Sequence, residues 1–352
     1  MPIRLAVVDD STFVRKAIRR MLAGDARFEV VGSAISGEEL LANLERWQPD
    51  VITLDLSMPG IGGLVTLDRI MTLRPTPVII LSTHAGRGAP QTIEALHRGA
   101  ADFIDKQQYS LLDFDALGEV LAAKIAAVAR GGTTEAPVIR ARRPGVASVA
   151  PAPTGGYQIL LIGASTGGPP AIEQVLADLG ATCPVPVLVV QHMPKGFTSA
   201  FADRLNGHLP LAVREGQDGA ALRPGTVYIG PAGNHLRVLR RGEQLVASLS
   251  ARPEAALHRP SVDELFRSAA RTVEGGAVSV LLTGMGRDGA EGMLELARAG
   301  AFTIAQDEPT SVVYGMPGAA VALQAVREVL PLARIGPRLC ELLAPTAAGS
   351  RP

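Results

Sequence analysis

The stretch ILLIGASTGGPP, Ile159 to Pro170, ends an apolar run with a serine inside a glycine-rich turn. Ser165 is expected at the carboxyl end of a buried strand, facing a helix N-terminus whose amides and dipole can stabilise an anion. Gly163, Gly167 and Gly168 permit the turn, and Pro169-Pro170 suit a first helical turn. His192 closes the run VLVVQH, and Asp288 lies in TGMGRDG just past VSVLL. Serine, histidine and aspartate at three strand ends fit a nucleophile, a base and an orienting acid. The base must take the serine proton near neutral pH and return it to a leaving group, which suits an imidazole. Backbone amides of the Gly284-Met285-Gly286 turn are candidates for an oxyanion hole. On the residues alone His208, His235 and His258 compete with His192 for the base role, with His235, after the PAGN turn, as a pocket-lining residue. Ser165 also reads as a helix N-cap and Asp288 as a turn aspartate.

A second group of polar residues sits in the first half. RLAVVDD ends in Asp9 and Asp10, DVITLDL carries Asp55, PVIILST carries Ser82, and ADFIDK ends in Lys106. Open α/β sheets bind ligands at the carboxyl edge, where all of these fall. Three carboxylates gathered there repel one another unless a cation joins them, and oxygen-only ligation suits Mg²⁺, which can also bind an incoming phosphoryl group.

The elements that must position these groups follow from the apolar pattern. The first half alternates five short apolar runs with helical patterns, including EVVGSAI, which predicts an α/β fold with a parallel sheet and right-handed crossovers. From Gly131 to Gly156 the chain is rich in Ala, Pro, Gly and Arg without an apolar period, the composition of a tether. The second half resumes with strands ILLIG, VPVLVVQH, TVYIG, AVSVLLTG and FTIAQD. Helices are expected at LADLG, TSAFADRLN and SVDELFRSAART. LRVLRRGEQLVASL predicts a hairpin turning at Arg241-Gly242, so antiparallel pairing accompanies a mainly parallel, doubly wound sheet. The expected divisions are 1–130, a linker over 131–156, 157–345 and a tail over 346–352.

Composition narrows the function classes. The chain has 352 residues, 47% of them hydrophobic, enough for two separate cores. Its net charge is zero and no long Lys/Arg block occurs, which argues against a nucleic-acid partner or an anionic membrane surface. No apolar stretch is long enough for membrane insertion. Two cysteines, Cys183 and Cys340, make no disulfide framework, and a reducing, cytoplasmic setting is expected. A dinucleotide site would want an acid at the end of the next strand, where His192 stands. A P-loop would need a lysine after the glycines. Gly163 to Gly167 does fit G-x-S-x-G, yet the order Ser, His, Asp differs from that of the α/β-hydrolases.

Two resemblances unite these observations. Through Asp9-Asp10, DLSMP around Asp55, Ser82 and Lys106 after GAADFID, residues 1 to about 130 resemble a response-regulator receiver domain with the flavodoxin-like, CheY-like fold. That resemblance implies Asp55 as phospho-acceptor, with Mg²⁺ held by Asp10, Asp55 and the Ser57 carbonyl and assisted by Asp9. Ser82 and Lys106 would contact the phosphoryl oxygens. Gln107 stands where receivers usually carry proline, and Gly62 where an acid is common. Tyr157 to about Leu343 resembles the catalytic domain of the CheB methylesterases through IGASTGG, VVQHMP, VYIGPAGNH, HRPSVDELF, LLTGMGRDGAEGM and AQDEPTSVVYGMP. It implies Ser165 as nucleophile, His192 as base and Asp288 as its partner, with Thr166 and the Met285 amide at the tetrahedral intermediate and no cofactor in this domain. The implied activity is carboxylic ester hydrolysis, a protein-glutamate methylesterase and glutaminase acting on methyl-accepting chemoreceptors, with a CheA-type histidine kinase as phosphodonor. A receiver that covers the mouth around Ser165 and His192 until phosphorylated would keep such an esterase from stripping its receptors continuously. The alternative class is a non-enzymatic phospho-switch whose C-terminal part only binds a partner; intact Ser165, His192 and Asp288 speak against it.

Overall fold

The computed structural model describes residues 1–82, 88–106, 114–131, 156–181, 183–253 and 256–344. The chain divides into two compact units, Met1–Thr134 and Glu135–Pro352. Gln107, the tail over 346–352 and all but the ends of the linker over 131–156 lie outside the described residues, as does the side chain of Ser82.

The first unit builds one parallel sheet from β1 (Ile3–Val8), β2 (Phe28–Ala34), β3 (Val51–Asp55), β4 (Val78–Ser82) and β5 (Asp102–Asp105), in the order β2-β1-β3-β4-β5. The apolar runs become strands because helices cover both faces, and β3 is buried at every residue. Serines start the first two helices: Ser11 Oγ accepts from the Val14 amide and Ser36 Oγ from the Glu39 amide. The strand order reverses between β1 and β3, so the ends carrying Asp9 and Asp55 open onto one crevice. Gly62 is the first residue of the Gly62–Leu73 helix.

The second unit contributes β6 (Ile159–Ala164), β7 (Val187–Gln191), β8 (Ala212–Glu215), β9 (Thr226–Ile229), β10 (His235–Arg241), β11 (Gln244–Ser250), β12 (Ala277–Leu281), β13 (Phe302–Gln306) and β14 (Glu328–Leu330). Seven of them form a parallel sheet in the order β14-β13-β12-β6-β7-β9-β8. The two edge strands, β8 and β14, escape the apolar pattern for a physical reason. They are four and three residues long and half solvated, so neither carries a continuous apolar run.

The hairpin forms its own two-stranded sheet, and Arg241 pairs with Gln244. Its loop is therefore Gly242-Glu243, one residue later than expected, because Gly242 takes φ +59°, as the first central residue of a type II′ turn requires, and leaves Arg241 in the ladder. The hairpin lies on the Val262–Val273 helix: the Val238 amide donates to Ser268 Oγ at 2.9 Å and Thr272 Oγ1 donates to the Val238 carbonyl at 3.0 Å. Beneath that helix β6, β7 and β12 are fully buried. No helix among the described residues is long and apolar enough to cross a membrane.

Phe266, on the buried face of the Val262–Val273 helix, is wholly inaccessible to solvent. Phe266→Ala is expected to cost this unit about 3–5 kcal/mol, read as a fall in its denaturant midpoint with an unchanged slope.

Candidate functional site

Three adjacent strands define the site. The chain leaves β6 toward β7 on one side and returns through β12 on the other, so the order reverses beside β6 and the carboxyl edge gapes there. Backbone pairing continues beyond the strand ends. The Leu282 amide donates to the Gly163 carbonyl at 2.9 Å, the Ser165 amide to the Thr283 carbonyl at 3.1 Å, and the His192 amide to the Ala164 carbonyl at 3.1 Å. The loops carrying serine, histidine and aspartate are thus tied together by main chain before any side chain acts.

Ser165 begins a tight turn closed by the Gly168 amide on its carbonyl at 2.8 Å. The turn needs Gly167, which takes φ +75° and caps the Gly168–Leu179 helix; a Cβ there would fall 2.6 Å from Val312. Ser165 itself is half-buried, and among the described residues its hydroxyl makes no hydrogen bond. Against it lies Gly284, where a Cβ would meet Ser165 Cβ at 2.9 Å and Met316 Sδ at 2.3 Å. That turn is clamped: the Gly284 amide donates to the Val313 carbonyl, and the Gly284 carbonyl accepts from the Gly315 and Met316 amides. The Met285 amide makes no hydrogen bond among the described residues, so a donor is left for an anion beside Ser165. Thr166 is buried at the same place, its carbonyl accepting from Thr283 Oγ1 at 3.0 Å.

His192 and Asp288 meet at 2.7 Å between Nε2 and Oδ2, with side chains only 8% and 12% exposed. Burial works against the Asp288 charge. The hydrogen bond and charge of His192, with the amides of Asp263 and Val262, outweigh it and hold the carboxyl well below the usual carboxylate range. An ionised carboxylate only accepts, so Nε2 carries the proton and Nδ1 is the basic nitrogen of the neutral ring. Nδ1 is buried and has no hydrogen-bond partner. No hydrogen bond joins it to Ser165 Oγ.

The competing histidines separate by environment. His235 is fully buried with both nitrogens engaged, Nδ1 accepting from the Ser261 amide and Nε2 donating to the Pro253 carbonyl, each at 3.2 Å. Burial lowers its pKa and keeps it neutral. His208 is exposed and bonds the Arg204 carbonyl at 2.9 Å. His258 stacks on His192, ring centroids 4.0 Å apart and planes 18° from parallel.

Sequence reasoning missed the shell behind these groups. Gln191 is buried at the end of β7 and donates Nε2 to the carbonyls of Ser165 and His192, at 2.9 and 3.1 Å, fixing one loop on the other. Gln306, at the end of β13, accepts from the Thr283 amide at 2.8 Å. Ser261 donates to Asp288 Oδ1 at 2.8 Å. Ser261-Val-Asp-Glu264 does have the S-x-x-E form of a helix start, but nothing in the sequence aims that start at Asp288.

In the first unit Asp9 is fully buried, Asp55 nearly so and Asp10 exposed, and their oxygens lie within 4.8 Å of one another. Lys106 Nζ donates to Asp9 Oδ2 at 2.7 Å and to Asp55 Oδ2 at 3.0 Å. Asp55 Oδ1 accepts from the Ser57 amide at 3.1 Å. Burial raises the Asp9 pKa against the opposing pull of Lys106. Three carboxylates against one ammonium leave a negative, oxygen-only cluster, a donor set that fits a hard divalent cation such as Mg²⁺. Arg15 Nη1, on the carbonyls of Asp9 and Asp10, holds the loop from behind.

Residues 160–339 match the family model described as CheB methylesterase, and residues 5–112 match the response regulator receiver domain. A protein-glutamate methylesterase/protein-glutamine glutaminase of Xanthomonas oryzae is 43% identical, with 97% of this chain and 98% of that protein covered. One of the same description from Pseudomonas aeruginosa is 40% identical over the full length of both. The crystal structure of the Thermotoga maritima CheB methylesterase catalytic domain superposes with a TM-score of 0.52 at 37% identity, covering 53% of this chain and 99% of that one.

Asp288 also makes the fold pH-dependent. Its folded pKa lies below the unfolded value of about 4, so its stabilisation is fully present above the unfolded pKa and is lost as pH falls toward the folded one. Chemical denaturation between pH 3 and 7 is expected to show a wild-type decline on acidification that is shallower in Asp288→Asn, and parallel curves would refute the assignment.

Proposed function

The chain belongs to the CheB methylesterase family, with a receiver domain ahead of the esterase part, and on that premise we propose that it hydrolyses γ-glutamyl methyl esters and deamidates glutamines on methyl-accepting chemoreceptors, using Ser165, His192 and Asp288. The observation that carries the reading is the buried, unpartnered Nδ1 of His192, whose opposite nitrogen is held by an ionised Asp288. An imidazole bound in this way has one open basic site, and the nearest strand end presents a serine with an open hydroxyl.

The steps follow from those positions. Ser165 Oγ bonds to the γ-carbonyl carbon while Nδ1 of His192 takes its proton, and Asp288 stabilises the imidazolium. The oxyanion forms beside the Met285 amide and Thr166 at the N-terminal end of the Gly168–Leu179 helix. Collapse breaks the bond to the methoxy oxygen, which leaves as methanol with the His192 proton; from glutamine the leaving group is ammonia. Water then attacks the acyl-serine, giving its proton to His192, and glutamate and free Ser165 result.

In the receiver, Asp55 is the acceptor of a phosphoryl group from a CheA-type histidine kinase, with Lys106 and Ser82 to meet its oxygens. Asp9, Asp10 and Asp55 would hold Mg²⁺, which when bound offsets the charge of the carboxylates and the incoming phosphoryl group. Phosphorylation adds up to two negative charges beside Lys106 and raises the esterase rate. The reading puts the enzyme in the cytoplasm, with its substrate helices and kinase.

Ser165→Ala is expected to lower methanol release from methylated receptor by about 10⁴-fold or more while leaving the fold intact, and activity within tenfold of wild type would exclude the assignment. With a phosphodonor present, the wild type is expected to accelerate severalfold and Asp55→Asn to remain at the basal rate; equal stimulation of both would remove Asp55 from the acceptor role.

A further inference from the structure

Resting on the triad reading above, we propose that Ser261 is a positioning residue for the reaction: its hydroxyl, by donating to Asp288 Oδ1, sets the rotation of the carboxylate and so aims the His192 ring at Ser165. A carboxylate offers about four lone-pair sites, and all four are met here. Oδ1 accepts from Ser261 Oγ at 2.8 Å and the Asp263 amide at 3.0 Å; Oδ2 accepts from the Val262 amide at 2.8 Å and His192 Nε2 at 2.7 Å. The terminal torsion of an aspartate is broad and does not orient itself, so these donors decide where Oδ2 points. Among the described residues Ser261 supplies the one side-chain donor to Asp288 other than His192.

The geometry exceeds what helix capping requires. As N-cap of the Val262–Val273 helix, Ser261 accepts from the Glu264 amide at a long 3.4 Å, which leaves the hydroxyl proton for Asp288. Ser261 is 5% exposed, whereas an ordinary N-cap has no need of burial. Its own amide donates to Nδ1 of the fully buried His235, whose Nε2 is anchored on the Pro253 carbonyl. The main chain of Ser261 is therefore braced from behind by a neutral imidazole while its hydroxyl is directed forward at the carboxylate. Without it, Oδ1 loses one of its two donors, the carboxylate plane is freed to rotate, and more of its charge is left for His192 to meet.

The test uses the full-length chain. Labelling of Ser165 by a fluorophosphonate probe is followed from pH 5 to 9, and kcat and KM for methanol release from methylated receptor are measured with a phosphodonor. Wild type, Ser165→Ala, Ser261→Ala, Ser261→Gly and Ser261→Thr are compared. Glycine is tolerated at an N-cap nearly as well as serine but has no hydroxyl, so it separates capping from donation. Ser261→Ala and Ser261→Gly are expected to lower the labelling rate and kcat by about tenfold with KM little changed, the scale of one hydrogen bond to a charged group. The acid limb of the labelling profile should move to higher pH, because a less neutralised Asp288 favours the imidazolium. Ser261→Thr should restore both rate and limb. If Ser261→Gly labels at the wild-type rate with an unmoved limb, or if any loss only tracks loss of folded protein, the positioning role is overturned. Absence of Ser165-dependent labelling in the wild type would instead overturn the triad reading beneath it.

Discussion

A buried carboxylate keeps its charge only when donors replace the water it has lost, and the arrangement of the second unit depends on how Asp288 meets that condition. Two backbone amides from the start of the Val262–Val273 helix, the Ser261 hydroxyl and the His192 ring converge on it. The helix dipole adds a favourable field at the same point. Because the acid stays ionised, the imidazole proton is confined to Nε2, and the nitrogen facing away from the acid becomes the basic one. Had Asp288 been protonated, either tautomer would serve and the polarity of the site would be lost.

That condition reaches into the packing. The helix can deliver its N-terminus to the loop after β12 only by lying close on the sheet, and its apolar face, with Val262, Leu265, Phe266, Ala269 and Val273, is buried there. Val262 serves both purposes: its side chain packs in the core cluster with Leu281 and Phe266, and its amide bonds Asp288. Stability and chemistry thus share residues where the base is held. Ser165 is only half-buried, as a nucleophile must be to reach a substrate.

The first unit solves the opposite electrostatic problem with the same kind of sheet edge. There the carboxylates outnumber the cations: Lys106 bridges Asp9 and Asp55, while Asp10 faces solvent. Burial, joined by the neighbouring Asp55 charge, pushes Asp9 toward the neutral form. A cluster left short of positive charge suits an added cation, whereas the Asp288 carboxylate already has four donors. One edge is thereby suited to receiving charge from outside and the other to moving a proton within.

What the sequence by itself determined is whatever depends on neighbours along the chain. Continuous apolar runs marked β1, β3, β6, β7 and β12, because strands covered on both faces exclude polar side chains. Polar residues at or just past the ends of those runs and of β5 marked Ser165, His192, Asp288, Asp9, Asp10, Asp55 and Lys106, because a parallel sheet brings every strand end to one edge. What only the tertiary structure decided is whatever depends on which elements meet. β8 and β14 are too short to carry a period, and the sheet recruits them by pairing at its edges. His258 stacks on His192 across sixty-odd residues of chain. Gln191 and Gln306 read as ordinary strand residues until the loops they join are brought together. Ser261 reads as a helix cap, and only the packing of that helix against β6 and β12 turns its hydroxyl toward Asp288. Local patterns encode the elements and the polar groups at their ends; the partner of each group is set by contacts between segments far apart in the chain, for which a single sequence carries no period.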